Sequence, residues 1–121
     1  MTVATAINML EGLRYRWRGD ALELKTLRKL GALYFQTQHW RDGLQVLRTA
    51  AQNFPEDESA RHANDDMRAA FVQLYLKGAA DKMSPVQALA LFYDFIDLTP
   101  IGPDGDEMIR RMADRLMAVD L

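Results

Sequence analysis

Apolar residues spaced three and four apart recur along the whole chain, and no period-two alternation is long enough for a strand, so the sequence commits to helices. Ile7, Leu10, Leu13 and Trp17 form a first stripe, which Gly19 closes while Asp20 offers an N-cap to the next helix. Leu24, Leu27, Leu30 and Tyr34 form a second. After a short Gln36 to His39 connection, a third helix turns Leu44, Leu47, Ala50 and Ala51 inward and ends at Phe54-Pro55, where proline cannot extend it. The second and third helices read as a tight hairpin.

Downstream, Ala60, Ala63, Met67, Ala70, Phe71, Leu74 and Tyr75 predict a fourth helix from about Ser59 to Lys77, with Gly78 as its closing glycine and Asp57 and Glu58 at its electropositive start. Ser84-Pro85-Val86-Gln87 has the form of a capping box with proline in the first helical position. The fifth helix, Val86 to Leu98, is apolar nearly all round and is expected to be the most buried. A turn from Ile101 to Gly105 leads into a last helix opened by Asp106 and Glu107, with Met108, Ile109, Met112, Leu116 and Met117 along it.

A length of 121 residues with 49% hydrophobic and 26% charged positions suits one domain with a continuous core. With no cysteine there is no disulfide framework, no thiolate metal site and no catalytic thiol, and cytoplasm and periplasm both stay open. Val86 to Leu98 is too short to span a bilayer, and Met1 to Leu10 lacks the basic start of a signal peptide. Charge is uneven: eight Lys/Arg against four Asp/Glu through Arg48, then seven against thirteen. Unequal solvated faces account for that as well as an oriented partner does.

Six helices joined by short turns call for a search for repeats. Leu27, Leu30, Gly31 and Tyr34 in one helix, Gly43, Leu47 and Ala50 in the next, and Pro55 at the exit resemble the tetratricopeptide repeat over residues 24–57. The sequence departs from that family at Leu27, where an aromatic is usual, at Gly43 and Leu47, and at Gln38, where the family often has a turn glycine. Gly31 and Gly43 leave room for close helix approach, with Tyr34 and Leu47 as the large neighbours. Ala88, Phe92 and Pro100 repeat the spacing of Gly43, Leu47 and Pro55, so residues 58–100 read as a degenerate second unit. Residues 1–19 and 101–121 then read as flanking half-units. The resemblance implies an all-α, right-handed solenoid segment of antiparallel hairpins. In general character the chain is also similar to internal pieces of longer bacterial repeat proteins, and the absence of a cap before Leu121 fits such a piece.

Catalytic chemistry finds no footing in these residues. His62 with Asp65 and Asp66 suggests a weak metal or acid/base pair, but three or four convergent ligands are needed, and a solvated polar face is the better account. Asp94 and Asp97 read as surface charge. Asp104-Gly105-Asp106-Glu107 lacks calcium-loop spacing. Arg14-Tyr15-Arg16-Trp17-Arg18 interleaves basic and aromatic residues, yet helical geometry turns Trp17 to the core stripe, and the acidic total argues against nucleic acid. No metal or cofactor is expected.

By the family resemblance, the helix carrying Lys25, Arg28 and Lys29 lines a concave groove, with Ala32 and Phe35 further along it. Lys25 and Arg28 are similar in placement to basic groups that clamp peptide carboxylates. The expected function is therefore a non-catalytic scaffold for a protein or peptide partner. Self-assembly within a larger complex and an accessory domain of an enzyme are the alternatives. The spread of apolar residues over the first and last helices further predicts a twofold homodimer.

Overall fold

The computed structural model describes residues 2–16, 21–55 and 57–118, with the side chains of residues 15, 16, 21 and 22 outside that description. It contains α1 (Val3–Arg16), α2 (Ala21–Gln36), α3 (Trp40–Asn53), α4 (Glu58–Tyr75), α5 (Pro85–Asp94) and α6 (Pro103–Ala118), with 3-10 turns at Ala79–Lys82 and Ile96–Leu98. The described residues contain no strand, so the all-α, six-helix expectation holds. Trp17, Gly19, Asp20 and Val119 lie outside the described residues. None of the described helices is long and apolar enough to cross a membrane. Two compact units emerge, Met1–Met67 and Arg68–Leu121, and the α4 helix runs through the boundary.

In the first unit, α2 packs against α1 on one side and α3 on the other. Leu24, Leu27, Leu30, Leu44, Leu47 and Ala50 are buried, each large side chain contributing about 1.5–3 kcal/mol of apolar burial. A β-carbon on Gly31 would lie 2.7 Å from Leu47 Cγ, and one on Gly43 would strike the ring of Phe35, 2.6 Å from Cδ1. Both pairs are symmetric about His39, as antiparallel helices require. The glycines therefore mark the closest approach, as the sequence implies, but Phe35 takes the place expected of Tyr34. Tyr34 turns toward α1 instead and donates to Glu11 Oε1 at 2.8 Å.

The hairpin turn follows from one residue. Gln38 has φ +63, while its N–H donates to Phe35 O at 3.1 Å and the His39 N–H donates to Tyr34 O at 2.8 Å. Those bonds form a Schellman motif, which needs a left-handed residue at the position held by Gln38.

The second unit revises several expectations. Helix α4 ends at Tyr75, and Gly78, at φ +96, precedes the following 3-10 turn instead of closing the helix. Ser84 Oγ accepts from the Gln87 N–H at 3.2 Å with Pro85 at N1, as expected, although the Gln87 side chain returns no bond among those described. The predicted helix to Leu98 stops at Asp94 and resumes as a 3-10 turn. It is not the most buried helix: Ala88, Leu91 and Phe92 face inward, but Val86 is 65% and Tyr93 73% exposed. Packing covers one arc of α5 only, so apolar composition around the helix does not produce burial all round. Finally, α6 begins at Pro103, with Gly105 inside its first turn, where a β-carbon would collide with the carbonyl oxygen of Pro100.

The core of this unit is aromatic. Phe71 stacks on Phe92 at 5.4 Å, Tyr75 meets Phe92 edge-on at 4.9 Å, and the buried Tyr75 hydroxyl donates to Ala88 O at 2.7 Å. Arg111 Nη1 donates to Leu76 O at 2.5 Å, while Arg115 donates to Ala80 O at 3.1 Å and pairs with Asp81. The two arginines thereby fasten the stretch after α4 to α6.

Candidate functional site

Lys25, Arg28, Lys29 and Ala32 recur at helical spacing on the side of α2 opposite its buried leucines. Lys25, Lys29 and Ala32 are exposed, and neither lysine has an ion-pair partner among the described residues. Lys25 and Lys29 are one turn apart, about 6 Å along the axis. Helix formation alone aligns them, since no residue in this stretch interrupts the turn.

Arg28 differs from its neighbours. Its Nε and Nη2 both donate to Asp66 Oδ2 on α4, at 3.3 and 3.1 Å. The side chains remain 36% and 40% exposed, so this is a hydrated pair on the rim of the unit. A pair of that kind contributes about 0–1 kcal/mol. The face is therefore basic on α2 and closed by a carboxylate from α4.

Phe35, expected in the groove, lies in the hairpin contact: it fills the space over Gly43 and stacks on Trp40 at 5.6 Å. Leu27, Leu30, Gly31, Gly43, Leu47 and Ala50 are buried, while Pro55 is exposed just beyond α3. Each of the repeat positions other than Tyr34 and Pro55 thus belongs to the core.

Asp66, read from the sequence as half of a pair with His62, spends its carboxylate on Arg28. Among the described residues no three His, Asp or Glu side chains gather as a metal ion would require. Arg14 pairs with Glu11 at 3.4 Å, and the rest of the Arg14 to Arg18 run lies outside the described residues or side chains. An open depression lined by Pro55, Asp57, Glu58, Ala60, Arg61 and Asn64 sits at the start of α4. There Asp57 Oδ1 caps the helix by accepting from the Ser59 N–H at 2.8 Å.

Sequence reasoning found the basic face because its signal is local. It missed the Arg28 to Asp66 pairing because the partners are 38 residues apart and no local pattern connects them. Comparison with protein-family models, with curated proteins and with solved structures gives no match.

Proposed function

We propose that this chain is a non-catalytic, tetratricopeptide-type scaffold that holds a protein or peptide partner on the exposed face of α2. The observation that carries the reading is the α2–α3 hairpin. Across it two glycines face large residues: Gly31 meets Leu47, as the repeat resemblance expects, and Gly43 meets Phe35 in place of the expected Tyr34. Its turn is left-handed at Gln38, where the family often has glycine. In an array of such hairpins, successive first helices form a continuous binding surface. Lys25, Arg28, Lys29 and Ala32 occupy that surface here and suit an acidic segment.

A titration with a glutamate-rich peptide, followed by backbone amide shifts, tests this. The expected outcome is perturbation centred on Lys25, Arg28, Lys29 and Ala32 that weakens with salt, since exposed charges are screened over about 8–10 Å. Shifts confined to other helices retire the groove.

A second reading, self-assembly, is favoured by a different observation. Val86, Leu89, Tyr93 and Ile96 stand exposed at helical spacing along α5 and the turn after it, and Met9, Ile109 and Met117 are exposed on the first and last helices. A row of exposed apolar side chains such as that along α5 suits an interface. Light scattering over a concentration series tests it: a rising mass that Tyr93→Glu abolishes supports assembly, and a constant monomeric mass ends it.

A further inference from the structure

An anion that settles between Lys25 and Lys29 meets an arginine already engaged by the protein's own carboxylate. Arg28 lies on the same arc of α2, and both of its bonds to Asp66 end on a single oxygen, Oδ2. The pair is too exposed to be a strong structural tie, at 36% and 40% side-chain exposure. Arginine and carboxylate match best when two donors meet two acceptor oxygens, and this contact uses only one oxygen of Asp66.

From this we infer that Asp66 is an internal competitor for the ligand: it occupies the Arg28 guanidinium in the free protein and is displaced when a segment with clustered carboxylates binds. The inference rests on the proposed α2 surface and assigns it a selection rule. A ligand with one carboxylate engages the lysines and leaves the Arg28–Asp66 pair closed. One with two or more neighbouring carboxylates engages the lysines first and then takes Arg28 from Asp66 at little cost. For a ligand that needs Arg28, the apparent affinity is the intrinsic one multiplied by the fraction of molecules in which Arg28 is free of Asp66. For an exposed pair that reduction is about two- to fivefold.

The test is the affinity of a fluorescent hexaglutamate peptide, at low salt, for the full chain and five variants: Asp66→Asn, Asp65→Asn, Arg28→Gln, Arg28→Gln with Asp66→Asn, and Lys25→Gln with Lys29→Gln. Asp66→Asn, nearly isosteric, is expected to tighten binding about two- to fivefold. Asp65→Asn removes the same charge from an exposed α4 position outside the pair, and is expected to change affinity less. The gain from Asp66→Asn should vanish when Arg28→Gln is added. A monovalent glutamyl peptide, which leaves the pair closed, should bind the wild type weakly and gain a smaller factor from Asp66→Asn.

Equal effects of Asp66→Asn and Asp65→Asn, or a gain that survives Arg28→Gln, overturn the competitor role while leaving the basic surface standing. No hexaglutamate binding by the wild type or Asp66→Asn, or binding unaffected by Lys25→Gln with Lys29→Gln, overturns the surface and the competitor together. Tighter binding of a single-stranded oligonucleotide than of the peptide overturns the acidic-peptide assignment.

Discussion

Leu47 of α3 fills the space that a side chain on Gly31 of α2 would need, its Cγ 2.7 Å from where that β-carbon would stand. Both residues are buried, and Leu47, fully so, cannot swing into water. Replacing Gly31 by Ala adds a better helix former, worth up to about 1 kcal/mol, but overpacks the contact at about 1–3 kcal/mol. Net destabilisation of about 1 kcal/mol is expected, rising to a few for Gly31→Leu, while the exposed His62→Ala stays within about 0.5 kcal/mol. Urea denaturation with unchanged slope checks the ranking, and a stabilised Gly31→Ala would remove the contact from the account.

Two other glycines separate space from strain more sharply. Gly105 faces the Pro100 carbonyl, which is backbone and cannot rotate away, so Gly105→Ala should cost about 3 kcal/mol or more. Gly12, in α1, has nothing within 4 Å of its would-be β-carbon. Gly12→Ala should therefore raise stability by about 0.5–1 kcal/mol through helix propensity alone. Thermal melts of the two variants should move in opposite directions.

Gln38 carries a side chain at φ +63 in the turn between α2 and α3. Glycine reaches that conformation without steric cost, so Gln38→Gly should stabilise by up to about 1 kcal/mol despite its larger unfolded-state entropy. Asn, tolerant of the same region, should fall between the two. A lower melting temperature for Gln38→Gly would mean the turn is not left-handed in solution.

Tyr34 titrates late. Partial burial and then its hydrogen bond to the Glu11 carboxylate push its pKa up from 10.0 to about 12. Because the folded value lies above the unfolded one, the protonated phenol contributes stability that is complete below pH 10 and lost as pH rises toward 12. Wild-type stability should therefore fall more steeply over that window than that of Tyr34→Phe, which has no proton to lose there. Parallel slopes would show that folding does not raise the pKa of this phenol.

Along α6, arginines of one sequence type should differ in consequence. Arg115 is mostly buried against the turn after α4, bonded to Ala80 O and paired with Asp81, so Arg115→Ala should cost about 1–2 kcal/mol. Arg110 is 63% exposed and binds only Glu107 and Asp114 on its own helix, so its removal should cost well under 1 kcal/mol. Equal losses would show that the α6 clamp has no role in holding that turn.

The six helices, though not all their ends, the two hairpin glycines, the Ser84 cap and the basic face of α2 were legible in the sequence. Each depends on residues within a turn or two of one another, where the 3.6-residue period and cap chemistry act without reference to the rest of the chain. The one-sided burial of α5 was not legible, because the same Val86, Leu89 and Tyr93 satisfy either a surrounded helix or a rim helix, and only the number of packing partners separates them. Nor was the choice of Tyr34 for Glu11, or of Tyr75 for the Ala88 carbonyl. The Arg28–Asp66 contact belongs to the same class. Periodicity fixes which side of its own helix a residue occupies, and only the tertiary placement of Asp66, 38 residues away, decides which carboxylate that arginine meets.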